Sequence, residues 1–177
     1  MNNNDVLRRI RFIFDFDDSK MIALFGLGGH QVTREQISDW LKKDDDKAFK
    51  KCSDTQLATF LNGLINDRRG KKEGEQPEPE KRLNNNIIFM KLRIALDLKA
   101  EDIIAIMNLA HVCMSKHELS AFFRKPEHKN YRSCQDQVFR SFLKGMQFKY
   151  CATPPKLGAK SSETQNKIAE TQKSLIQ

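Results

Sequence analysis

Long hydrophobic runs are missing from this chain of 177 residues. The most apolar stretches, such as Ile103-Ile104-Ala105-Ile106-Met107, fall far short of the roughly 18 consecutive residues that a membrane span requires. The polar start Met1-Asn2-Asn3-Asn4-Asp5 lacks the apolar core of a secretory leader, so a cytoplasmic protein with no membrane partner is expected. Cysteine is scarce: Cys52, Cys113, Cys134 and Cys151 form no C-x-x-C pair, which argues against a disulfide framework or a structural zinc site and for reduced thiols. With only 5 Pro and 8 Gly and 39% apolar residues, the chain suits one compact domain or two small ones.

Charge of one sign is concentrated in the second half. Residues 2 to 64 carry 10 basic and 10 acidic side chains, whereas residues 84 to 150 carry a net +5 of the total +8. That asymmetry permits a polyanionic partner, although it is modest beside the dense Lys and Arg footprint of dedicated nucleic-acid binders.

An internal repeat organises the rest. Residues 2 to 64 align with 84 to 146 at an offset of 82 with no gap, and 16 positions are identical. They include Asn2/Asn84, Asn3/Asn85, Asn4/Asn86, Arg11/Arg93, Asp15/Asp97, Cys52/Cys134 and Gly63/Gly145, and most other apolar positions exchange for apolar ones, so both copies should share one packing scheme. Apolar residues at helical spacing predict four short helices in each copy. Helix one covers about 4–14 and 86–96, with Asn4 and Asn86 as its N-caps, and helix two covers about 18–26 and 100–108. Helix three opens on the capping boxes Thr33-Arg34-Glu35-Gln36 and Ser115-Lys116-His117-Glu118. Helix four carries Leu57, Phe60, Leu61 and Leu64, matched by Phe139, Phe142, Leu143 and Met146.

A 63-residue unit would bury only about 60% of its unfolded surface. The expectation is therefore an all-α fold of two pseudo-symmetric four-helix repeats packed into one helical body, with residues 1–67 and 84–150 as the repeats. Between them, residues 68–83 read as a charged, solvated Gly/Pro linker, and residues 151–177 as a polar, mobile tail.

With the repeat in hand, particular runs stand out. Asn84-Asn85-Asn86 is followed by Lys91-Leu92-Arg93-Ile94-Ala95. Phe60-Leu61-Asn62-Gly63-Leu64-Ile65 leads to Arg68-Arg69-Gly70-Lys71, and Pro126-Glu127-His128-Lys129-Asn130 precedes Cys134. In these the chain resembles the YehS-like bacterial family, which is built from two copies of a domain of unknown function. The resemblance spans about residues 2 to 150 and implies a small cytosolic bacterial protein. It implies no activity and no site residues.

Candidate chemistry is sparse. Gly26-Leu27-Gly28-Gly29 lies between helices, lacks a following Lys-Ser/Thr and has no glycine in its repeat partner Asn108-Leu109-Ala110-His111, so it reads as a helix C-terminal turn rather than a phosphate loop. Arg11 with Asp15, and Arg93 with Asp97, read first as i, i+4 surface ion pairs; a second role would have each Arg reach across the pseudo-symmetry axis. The triads Asn2-Asn3-Asn4 and Asn84-Asn85-Asn86 read as caps, with anion or partner contact as the functional alternative. Cys52 has no histidine equivalent to His128, and the four histidines do not recur between copies, which argues against a thiolate, triad or metal centre. No cofactor is indicated, and no convergent acid, base or nucleophile marks an enzyme.

The cluster Arg124, Lys125, His128, Lys129, Arg132 and Arg140, interleaved with Phe123 and Tyr131, is the candidate for polyanion contact. Copy one places Asp44-Asp45-Asp46 at the corresponding loop, so one such face is expected at most. The sequence therefore points to a binding or regulatory module with nucleic acid as the preferred partner. The alternative is a protein-interaction adaptor, meeting an acidic or other protein at the inter-repeat groove or the linker.

Overall fold

The computed structural model describes residues 1–151, so the expectation for the tail beyond Cys151 lies outside the described residues. Among the described residues eight helices follow one another: α1 (Asn3–Phe14), α2 (Asp18–Leu27), α3 (Arg34–Leu41), α4 (Asp54–Arg69), α5 (Asn85–Ala95), α6 (Ala100–Leu109), α7 (Lys116–Ala121) and α8 (Asp136–Tyr150). No strand occurs among the described residues.

Helix starts follow local side-chain chemistry. Thr33 with Gln36 and Ser115 with Glu118 form reciprocal capping boxes, and Ser53 with Gln56 forms a third that opens α4. The first helix of each repeat differs from expectation by two residues: Asn2 and Asn84 are the N-caps, accepting from the backbone N–H of Asp5 and Ile87. Asn4 and Asn86 are instead buried, at 0% and 6% exposure.

Helix ends are equally repetitive. Asp15 and Asp97 adopt left-handed backbone at φ 52° and 51°, a conformation that Asp tolerates better than most side chains. The next residues, Phe16 and Leu98, donate to the carbonyls of Arg11 and Arg93, both at 3.0 Å, which closes a Schellman-type turn. Those aspartates are therefore turn residues, and the expected i, i+4 ion pairs are not formed. Arg11 instead donates Nε to the Phe16 carbonyl and pairs Nη2 with Asp18 at 3.1 Å. Arg93 donates to the Leu98 carbonyl and lies over the Phe123 ring. The arginine that does reach an aspartate of the other repeat is Arg69 of α4, which pairs with Asp97 at 2.9 Å. At the end of α2 the turn is closed by Gly29 (φ 94°), and His111 (φ 60°) takes the same conformation after α6.

The repeats interlock by exchange of neighbours. Helix α4 packs on α2 of its own repeat and on α5 of the other, while α8 packs on α6 and on α1. One continuous apolar cluster results, running from Val6 through Phe25, Phe60 and Phe89 to Phe142 and Met146. Gly63 and Gly145 permit equivalent close crossings in the two repeats: a Cβ on Gly63 would lie 1.7 Å from the Leu24 carbonyl oxygen and one on Gly145 2.0 Å from that of Ile106. Among the described residues no helix is long and apolar enough to cross a membrane.

Candidate functional site

The asparagine triads divide their work. Asn4 donates to the carbonyls of Trp40 and Lys50 and accepts from the Cys52 N–H. Asn86 does the same with Phe122, Arg132 and Cys134. Each thus ties the first helix of its repeat to both ends of the loop between the third and fourth. Asn3 and Asn85 donate to the Cys52 and Cys134 carbonyls and to the carboxylates of Asp54 and Asp136. The Asn3 hydrogen bond, supported by the Leu83 N–H, holds the Asp54 carboxyl below its usual range. Burial of Cys52 and Cys134 beside these carboxylates pushes both thiols up to about 12, the opposite of a reactive thiolate.

The basic cluster does not form one patch. Lys125, His128, Lys129 and Arg132 are exposed on the α7–α8 loop, whose turns close through backbone bonds from His128 to Lys125 and from Tyr131 to His128. Arg140 lies apart on α8, with Arg9, Lys144 and Gln147 around a separate open depression. Arg124 is half-buried, with Nη1 3.3 Å from the His128 ring. In copy one the equivalents of Arg124 and Arg132, Lys42 and Lys50, both pair with the buried Asp39 at 2.8 and 3.0 Å. Ala121 occupies the Asp39 position in copy two, so the two arginines have no carboxylate partner among the described residues.

Arg124 helps line a cavity of about 740 Å³ at the junction of the repeats. Its walls come from the last turns of α4 (Ile65, Asn66), from α5 (Ile87, Met90, Lys91, Ile94), from the α7–α8 loop (Phe123, Pro126, Tyr131) and from the linker (Gln76, Pro77, Glu80). The linker is more than a solvated spacer. Gln76 folds it by donating to the Lys72 and Gly74 carbonyls, Asn66 donates to Gln76, and Glu80 pairs with Lys91 of α5 at 2.9 Å. The segment also begins later than its sequence suggests, because α4 continues to Arg69.

Unpaired polar atoms gather around this cavity. The Lys91 side chain is only 11% exposed, and its ammonium is held between Glu80 Oε1 and Asn62 Oδ1. That leaves Glu80 Oε2 and Asn62 Nδ2 without partners, and together with Arg124 Nε they are the buried side-chain polar atoms left unpaired among the described residues. An unpaired buried donor or acceptor costs about 1–3 kcal/mol, so native chains keep few. All three belong to residues lining the same cavity.

The repeat supplies the contrast. In copy one, Arg8 is clasped by Asp5 and Asp44 and donates to the Lys42 carbonyl. Ile87, Met90 and Pro126 stand at the three equivalent positions of copy two, so an ion network is replaced by apolar wall where the cavity opens. Ile87, Met90, Lys91, Asn62 and Glu80 match no site motif in the sequence. The readable signal was this loss of charge between aligned copies.

Comparison with known proteins agrees with the tandem architecture. The family model described as "Protein of unknown function (DUF1456)" matches residues 3–70 and again residues 85–151. The chain is 45% identical over 147 residues to "Uncharacterized protein YehS" of Escherichia coli (strain K12), covering 82% of this chain and 94% of that protein. No solved structure matches. Two successive matches span both repeats, with residues 71–84 between them, and the chain belongs to the DUF1456 family as a tandem pair of its domains.

Proposed function

We propose that this chain is a non-enzymatic binding module that docks an apolar segment of a partner protein in the linker-walled groove between its repeats. The observation that carries the reading is the exchange of Asp5, Arg8 and Asp44 in copy one for Ile87, Met90 and Pro126 in copy two, because all three replacements line the groove and clear charge from its wall. The volume supports it, lying within the about 300–1,000 Å³ of preformed ligand sites. A transplant tests it: the triple substitution Ile87→Asp, Met90→Arg, Pro126→Asp installs the ion network that copy one already accommodates. Anilinonaphthalene sulfonate should bind the native chain saturably and the triple variant at least about tenfold more weakly, with the helical circular dichroism of both alike. Equal dye binding by two folded proteins would defeat the reading.

A second reading, association with nucleic acid or an acidic protein through the second repeat, is favoured by the exposure of Lys125, His128, Lys129 and Arg132 along one loop with no ion-pair partner among the described residues. If duplex DNA is the partner, log affinity falls with log salt at a slope of about −0.9 per phosphate contacted. Anisotropy of a labelled duplex checks this, and absence of binding at low salt removes the DNA version.

A further inference from the structure

We infer that the groove takes the free carboxyl end of a short apolar peptide stretch, an inference that rests on the binding role proposed above. Three features of the cavity describe one occupant. The first is a matched polar pair. Asn62 Oδ1 and Glu80 Oε1 both hold the Lys91 ammonium, at 2.6 and 2.9 Å, so the unpartnered donor Asn62 Nδ2 and the unpartnered acceptor Glu80 Oε2 flank the same ammonium. A peptide unit offers the complement, one carbonyl oxygen and one N–H. The second is a cation stripped of its counter-ion. Arg124 stands where Lys42 stands in copy one, but the carboxylate that neutralises Lys42 has become Ala121, and the Arg124 Nε is buried without a partner. A planar guanidinium in that state suits a carboxylate. The third is the apolar lining of Ile65, Ile87, Met90 and Ile94, with Ile94 45% exposed on the surface of α5. A terminal carboxylate on Arg124, a peptide unit between Asn62 and Glu80 and apolar side chains on this lining satisfy all three. A phosphate polymer satisfies only the second, having no N–H for Glu80 Oε2 and no apolar side chains for the lining.

The full chain should bind acetylated leucyl-phenylalanyl-leucine in calorimetry about tenfold or more tightly than the same tripeptide closed as its terminal amide. Arg124→Gln, on a loop fixed by backbone bonds, should lower affinity for the acid to that of the amide while leaving the amide and the melting temperature unchanged. A folded carrier protein ending in the same three residues separates two sources: binding as tight as the free tripeptide identifies the end of a protein, and binding of the free tripeptide alone identifies a short peptide. Equal affinity for acid and amide overturns the inference. So does an absence of tripeptide binding, and if the triple groove variant still loses the dye, the groove survives as a site for a different ligand.

Discussion

Gly63→Ala and Gly145→Ala each destabilise the chain by about 3 kcal/mol or more, at or beyond the upper end of ordinary overpacking, which lowers the melting temperature by roughly 6–12 °C. The reason is geometric. The added methyl would sit 1.7 Å from the Leu24 carbonyl oxygen in one case and 2.0 Å from that of Ile106 in the other, and backbone cannot rotate away as a flexible side chain can. Relief requires α4 to lift from α2, or α8 from α6, and since these helices also carry the inter-repeat packing, the damage spreads across both halves. Gly26→Ala provides the control: its methyl would meet nothing closer than the Gln31 Nε2 at 3.7 Å, and alanine is the better helix former by about 0.5–1 kcal/mol. Thermal melts followed by circular dichroism decide the matter, and Gly63→Ala melting with the native chain would contradict the described crossing.

The second large effect belongs to the asparagine triad. Asn86→Leu strands the Cys134 N–H and the Phe122 carbonyl in the protein interior and frees the part-buried carbonyl of Arg132, and at about 1–3 kcal/mol for each of the two buried groups the summed loss is about 2–6 kcal/mol. Asn84→Ala removes one exposed cap and should cost only about 1 kcal/mol. Urea unfolding of the two variants therefore gives well-separated midpoints. Indistinguishable midpoints would mean that the three amides act as one surface feature, not as a cap, a clamp and a buried tie.

These residues also explain what was legible in the sequence. Thr33 with Gln36 and Ser115 with Glu118 were readable because a capping box is complete within four residues, and the turn at Gly28-Gly29 because its geometry is local. Asn4 and Asn86 were misread as caps because three consecutive amides satisfy the local signature equally, while the bonds that distinguish them reach 36 to 48 residues along the chain. Arg11 and Asp15 failed for a related reason: helical spacing applies only while the helix lasts, and Asp15 has already left it. The cavity was hidden because its linker wall depends on Asn66 meeting Gln76 and on Lys91 meeting Glu80, pairings that no periodicity announces. Its location was nonetheless written in the aligned copies, where Asp5, Arg8 and Asp44 lose their charge together.

The exchange of helices between repeats, α4 onto α5 and α8 onto α1, is the arrangement that two separate copies would adopt around a dyad. Two identical subunits would have to carry the same crevice twice, both sealed or both vacant. Joining them in one polypeptide releases that constraint. One crevice carries the Asp5–Arg8–Asp44 ion network on its wall, while its twin was free to drift toward a different chemistry without endangering the scaffold.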